Sequence, residues 1–428
     1  MNKNIKHAVA GAVLAMSASA AHAGIVIPAG DWTLDVNGNV NAFGSWSKFD
    51  HAASITGGIA GAKDQAGEDT TQSINTGLLP AWLGFTGKTR QNDLDVEFTM
   101  SLQPNVSSNG STGDGAGNVG PNTLFRQSYV SFGDKSWGSV KLGKDIGIFA
   151  SDAILNDMTL LGVGGAAGNS GTSTTLGGIG TGYIYAAWKG QIAYTTPNLN
   201  GFQATVGIVN PNQGINRNIA TLDGNTLADA TKPNLANLYQ DRFGLEGKAS
   251  YTFAQDNFSG KIWVGGASYK LKYGTNTAAA ATTGTLNEYT ASVADIGANI
   301  NAGNAGLTAY YYKGEGVGTT LMFGNGFDTA SGTSKGKRDS DGGYVQATYV
   351  LPTKTKAGIA YGRSNLDLAS GEATSALVDS NERITVGLYH PLTKHLNLVA
   401  EWNDIETRSH NGLKNQQTTG SLGAILFF

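Results

Sequence analysis

In the stretch DLDVEFTMSLQ, Leu94, Val96, Phe98, Met100 and Leu102 alternate with Asp95, Glu97, Thr99, Ser101 and Gln103. A period of two predicts a β-strand with one apolar and one polar face. DRFGLEGKASYTF repeats the pattern, with Phe243, Leu245, Gly247, Ala249, Tyr251 and Phe253 set against Arg242, Gly244, Glu246, Lys248, Ser250 and Thr252. Strands near residues 258–273 and 286–300 alternate poorly. A soluble sandwich gives the same alternation as a membrane barrel, so single strands do not decide the architecture.

The connections do better. Short polar turns (TRQND, GDKSWG, PNLNG, QDNFSG, NAGNAG, LPTKTK and HPLTKH) interleave strictly with long polar stretches near 47–77, 105–122, 145–181, 210–240, 274–285, 315–341, 367–381 and 406–416. Seven short and eight long connections join 16 strands, the first near 31–46 and the last near 417–428. Short turns at one rim and long loops at the other are the layout of an outer-membrane β-barrel, and an even strand number suits a single-chain barrel. The expectation is therefore one all-β domain, a transmembrane antiparallel barrel over 24–428, give or take two strands. If the apolar rows meet lipid, a one-residue slip exposing Lys248 there costs roughly 2–4 kcal/mol, which pins the register. The terminal GSLGAILFF places Leu422, Ala424, Leu426 and Phe428 on one face, as a closing strand requires.

Composition supports this reading. Residues 1–23 join Lys3 and Lys6, an apolar run from Ala8 to Met16 and the small-residue end Ala21-His22-Ala23, the pattern of a cleaved secretory signal. That run is too short to span a bilayer, which takes about 20 residues, and no later window of the chain is apolar enough for a spanning helix. Without the signal the net charge moves from −3 to about −5, which offers nothing to a nucleic acid. With no cysteine there is no disulfide framework or thiolate metal site. The 61 glycines might suggest disorder, but 16 Tyr, 15 Phe and 7 Trp are too many aromatics for an unstructured chain.

With these features, AWLGFTGKT, LFRQSYVSFGDKSWGSVKLGK and IAYTTPNLNGF resemble strands of the general bacterial porins, the 16-stranded trimeric barrels of the Gram-negative outer membrane. The resemblance runs from the signal to Phe428. It implies a homotrimer in contact with outer-membrane lipid and lipopolysaccharide, passing ions and small hydrophilic solutes by passive diffusion. It further implies that the third outer loop, beginning in GKDIGIFASDAILNDMTLLG, folds into the lumen with a short helical piece and narrows the channel. On that basis Asp157 is expected to point into the pore, Arg126 to face it from the wall, and Lys144 to stand at the loop's entrance. Two positions depart from the family pattern: Trp82 replaces an arginine and Leu161 a second loop acid. By alternation Trp82 still faces the lumen. Asp152 is either a pore acid or the cap of a helical turn.

Other lumen-facing charge candidates are Asp95, Glu97, Lys189, Arg242, Glu246, Lys248, Arg383 and Glu401. Ile154, Leu155, Met158 and Leu161 lie at helical spacing, as a loop pinned to a wall needs. GVGGAAG and GGIGTG echo phosphate loops but lack a βαβ frame and the P-loop lysine. The mature histidines, His51, His390, His395 and His410, have no metal-ligand spacing, and no cofactor, metal site or catalytic residue is expected. Tyr310–Tyr312 are expected in an interfacial aromatic girdle. The rivals to a diffusion pore are a substrate-specific channel of the same architecture and, less favoured, a barrel enzyme or adhesin.

Overall fold

The computed structural model describes residues 24–104, 123–165, 174–211, 242–273, 287–328 and 336–428. Residues 1–23, where the sequence predicts a secretory signal, therefore lie outside the described residues, as do large parts of several long connections.

The strands are β1 Ile25–Ala29, β2 Trp32–Phe49, β3 Thr70–Asn75, β4 Trp82–Gln91, β5 Leu94–Pro104, β6 Thr123–Asp134, β7 Gly138–Ile146, β8 Trp188–Thr195 and β9 Phe202–Val209. They continue with β10 Gly244–Gln255, β11 Phe258–Tyr273, β12 Asn287–Ala302, β13 Ala305–Glu315, β14 Asp339–Val350, β15 Lys356–Leu366, β16 Val378–Pro391, β17 Leu396–Ser409 and β18 Lys414–Phe427. Neighbours in sequence pair antiparallel, and β18 closes on β2 from Gln417↔Phe49 to Phe427↔Asn39. β3 and β4 extend along the same side of β2 as two halves of one wall strand, and β1 is a short flap beside the start of β2. The result is a closed antiparallel barrel of 16 wall strands. Closure leaves no unpaired edge in lipid. The last connection is shorter than the sequence suggests, because β17 runs to Ser409 and β18 starts at Lys414.

Alternation sorts the side chains as the sequence predicts for the clean strands. Met100, Leu245, Tyr251, Leu422 and Leu426 are exposed on the outer face, while Thr99, Ser101, Gln103 and Glu246 are buried inside. The strands that alternate poorly have a physical reason for doing so: their inner rows are also apolar. Trp263, Tyr269 and Leu271 of β11, Tyr289, Ala291 and Val293 of β12, Tyr310 and Tyr312 of β13 and Tyr344 of β14 form one interior cluster with Phe149, Ala150, Ala153, Ile154, Ile179, Tyr183, Ile184 and Ala186 and with Val317, Met322 and Phe323. Burying each such aromatic contributes roughly 1.5–3 kcal/mol. The expected tyrosine girdle is corrected accordingly: Tyr311 alone of the three faces outward, between two buried neighbours.

Candidate functional site

After β7 the chain enters a segment, 147–187, that contains the helix α1, Ser151–Leu155, and a 3-10 turn, Met158–Leu161. Ala150 precedes α1 in the left-handed region, and no side chain caps the helix. Asp152 is thus not a cap. It is Asp157 that caps, its Oδ1 accepting from Thr159 N at 2.9 Å.

Inward-facing wall residues hold this segment one after another. Glu246 Oε2 accepts from Ile148 N (2.7 Å) and Phe149 N (3.0 Å), while its Oε1 takes Lys189 Nζ (2.5 Å) and the Tyr269 hydroxyl. Lys248 donates to Ser151 Oγ at 2.8 Å, its Nζ lies 3.0 Å from Asp152 Oδ2, and Lys261 pairs with Asp152 Oδ1. Burial pushes the Asp152 carboxyl up, but the two ammonium groups outweigh it and hold the group below its ordinary value. Tyr344 donates to Ala153 O at 2.8 Å, and Gln346 bridges Asn156 O and Met158 N. Ser364 accepts from Gly182 N at 2.9 Å. Arg383 Nε donates to Thr181 Oγ1 at 3.2 Å, and its Nη2 lies 3.7 Å from Asp157 Oδ2. Glu401 Oε2 accepts from Val163 N (2.9 Å) and Gly164 N (2.8 Å), and its Oε1 accepts from the Tyr389 hydroxyl (2.7 Å). From the other direction, the break between β3 and β4 reaches in: Leu78 N donates to Gly162 O and Thr175 N to Gly77 O.

The glycine-rich runs find their use here. The ideal Cβ of Gly164, at φ 60°, would stand 2.4 Å from Gly177 Cα, where the segment crosses itself. A Cβ on Gly178 would come within 2.7 Å of both Arg383 Nη2 and Asp157 Oδ2. The bare backbone lets N–H groups reach the protein's own carboxylates, which is what the echo of a phosphate loop amounts to.

Of the expected pore residues, Asp157 is 1% exposed. Its Oδ2 accepts from Gly178 N (2.9 Å) and the Tyr183 hydroxyl (2.8 Å), and its cationic neighbour is Arg383. The structure does not bring it to Arg126. Arg126 shares its row of β6 with Ser128 and Val130, whereas Gln127, Tyr129 and Ser131 pair with the inward Ser101, Thr99 and Glu97 of β5. Its guanidinium stands over the Trp188 ring at 6.0 Å, on the outer side, next to a register slip in the β5–β6 ladder. Lys144 stands near the end of β7, at the entrance to the segment. It pairs with Ser128 and Gly190 on the outward row, and its amine donates to Phe125 O at 2.9 Å. Arg242, just before β10, pairs with Glu288, whose row is outward because Tyr289 beside it is buried inside.

Trp82 lies on the inward row, its Nε1 donating to Asn37 Oδ1 at 3.3 Å, and packs on the cluster that holds Met158 and Leu161. On the same β4–β7 wall Lys88 meets Glu97 at 3.4 Å, Arg90 meets Asp95 (2.8 Å) and Asp134 (3.0 Å), and Lys141 pairs with Asp145. Sequence reasoning passed over Tyr344, Gln346, Ser364 and Tyr389 as anchors. The signal available was a polar or tyrosine side chain in an inner row.

A family model described as Gram-negative porin matches residues 10–410. A search of curated proteins found no match. Among solved structures, the chain is similar to the outer membrane channel DcaP of Acinetobacter baumannii (14% identity, TM-score 0.63), covering 95% of this chain and 100% of that one. It is similar to the trimer form of OmpT of Vibrio cholerae (14%, TM-score 0.53; 93% and 99% covered). It is also similar to OmpF of Salmonella typhi, solved with daunomycin (14%, TM-score 0.54; 94% and 100% covered).

Proposed function

The chain belongs to the Gram-negative porin family, an outer-membrane channel for passive diffusion, and from that premise we propose that the described parts of segment 147–187, residues 147–165 and 174–187, form its constriction, lying along the inner wall and narrowing the water path. The observation that carries this is the line of anchors from Glu246 through Tyr344, Gln346, Ser364 and Arg383 to Glu401, all on inward rows and all spent on this one segment. The free passage then runs between the segment and the β4–β7 wall, where Lys88, Arg90 and Asp95 keep solvent exposure. In this reading Asp152, Asp157, Lys248, Arg383 and Glu401 hold the loop, and Trp82 lines the gap. The chain conducts and performs no chemistry. Its leader, residues 1–23, is removed on export, and three copies assemble in lipid and lipopolysaccharide, as the trimer form of the OmpT relative supports.

The absence of native cysteine offers a clean test. Leu155 is 47% exposed on the free edge of α1. Leu155→Cys protein in a planar bilayer should conduct in steps, and a bulky neutral thiol reagent should cut each step. Full labelling with unchanged conductance would remove the segment from the water path.

A further inference from the structure

The charges of the constriction are spent on its own assembly. The whole of 147–187 carries only two ionisable acids or bases of the Asp, Glu, Lys and Arg types, Asp152 and Asp157. Both are buried and turned to the wall, one between Lys248 and Lys261, the other against Arg383, Tyr183 and two backbone N–H groups. Among its described residues Leu155 is exposed, with Asn156 and Leu160 half-buried beside it and Thr174, Leu176 and Tyr185 half-buried further along. Among the described residues of the facing wall, Lys88, Arg90 and Lys141 each lie against a carboxylate. Between those pairs stand neutral groups: Trp82, the Thr86–Thr99 hydroxyl pair at 3.0 Å, and Tyr129, whose hydroxyl donates to Glu97 at 3.3 Å.

Resting on the constriction reading above, we propose that this gap is charge-compensated with a neutral, partly apolar rim, and that the channel favours small uncharged hydrophilic solutes over ions of either sign. An ion entering a narrow gap between low-dielectric walls sheds part of its hydration and needs an opposing charge to replace it. On the β4–β7 wall each described lysine and arginine of the inner row already lies against a carboxylate, and Asp35 of β2, opposite Thr86, has the Asn37 amide. An uncharged polyol loses less on entry, exchanges water for Thr, Asn and Tyr hydrogen bonds, and can lay its C–H face on Leu155 or Trp82.

The test uses the full-length protein in liposomes and planar bilayers. Glucose, glucosamine and gluconate have nearly the same size and differ in charge. Swelling should be fastest in glucose, the two charged solutes should agree within about threefold, and the potassium-to-chloride permeability ratio should also lie within about threefold of unity. A charged solute outrunning glucose, or a ratio beyond that bound in either direction, overturns the proposal. Leu155→Asp then plants a charge on the rim without touching an anchor, and should raise the potassium-to-chloride ratio by about threefold or more. Unchanged selectivity in Leu155→Asp also overturns it, since the rim is then not what ions meet. Block by the thiol reagent at Leu155→Cys separates the two failures: strong wild-type selectivity with block intact defeats compensation alone, whereas loss of block defeats the constriction itself.

Discussion

Glu401 offers the sharpest test of how the segment is held, because its two oxygens do different jobs. Oε2 accepts both the Val163 and the Gly164 N–H, and Oε1 accepts the Tyr389 hydroxyl. A glutamine can reproduce all three bonds: its carbonyl oxygen replaces Oε2, and its NH2 replaces Oε1 by donating to the Tyr389 oxygen, whose hydroxyl rotates away. Charge assistance and the acceptor of the Tyr389 hydroxyl proton are lost, about 1–2 kcal/mol together. Glu401→Leu keeps the bulk but orphans two backbone donors and a hydroxyl in a buried site, each worth about 1–3 kcal/mol, part of which water regains once the segment lifts. A net cost of about 3 kcal/mol to local docking corresponds to roughly a hundredfold rise in the open population. Hydrogen exchange at the Val163 and Gly164 amides reads this directly: protection should fall about tenfold in Glu401→Gln and roughly a hundredfold in Glu401→Leu. The barrel stays folded in both, since the wall ladders of β17 with β16 and β18 are untouched. Equal losses in Gln and Leu would refute the acceptor-geometry account and assign the effect to charge alone.

Gly178→Ala should loosen the same segment by about 1–3 kcal/mol, because the new methyl meets Arg383 and Asp157 at 2.7 Å; single-channel recordings should show added open-state noise. Val264, exposed on the outer face, should tolerate Leu but lose roughly 2–4 kcal/mol as Val264→Arg if it sits near mid-bilayer, measured by folding into vesicles. Arg126→Ala should leave ion selectivity unchanged, since its side chain lies on the outer row over Trp188; a shift toward cations would return it to the pore. Glu372, in the β15–β16 connection, accepts from Arg338 through both oxygens, at 2.9 and 2.5 Å. Burial pushes its carboxyl up, but Arg338 and the Ala369 N–H hold it below its ordinary value. A depressed value means the contribution is complete above the ordinary glutamate value and is lost as pH falls through the depressed one. Ala369 amide protection should therefore be flat from neutral pH to about 5 and fall only under stronger acid.

The wall was legible because lipid on one side and water on the other impose a period of two, and because turn lengths at the two rims differ. The charges inside were legible as lumen-facing for Glu246, Lys248, Arg383 and Glu401, but their work was not. Each stood as a wall charge until the segment 147–187 was laid against it, and those contacts span about 90 to 240 residues along the chain, as between Ile148 and Glu246 or Val163 and Glu401. Arg126 and Lys144 teach the opposite lesson. Val130 and Phe132 share a row with Arg126, and Val140 and Leu142 with Lys144, so alternation alone marks both as outward. The resemblance implies a pore-wall place for Arg126 and a loop-entrance place for Lys144, and alternation alone supplies neither.

The strands that looked worst were the most informative. A barrel wall facing water needs an inner row of polar groups, so an inner row reading Trp263, Tyr269, Leu271 or Tyr289, Ala291, Val293 states that something other than water lies against it. Among the described residues outside the strands, Phe149, Ala153, Ile154, Ile184 and Ala186 of the segment after β7, together with Val317, Met322 and Phe323 after β13, cover those rows in one interior cluster. Lost alternation in β11 and β12 and an apolar loop after β7 are thus two halves of one signal. Neither half is interpretable alone: the strands read as weak and the loop as an ordinary helical turn. Together they locate the face of the barrel on which the segment after β7 is docked.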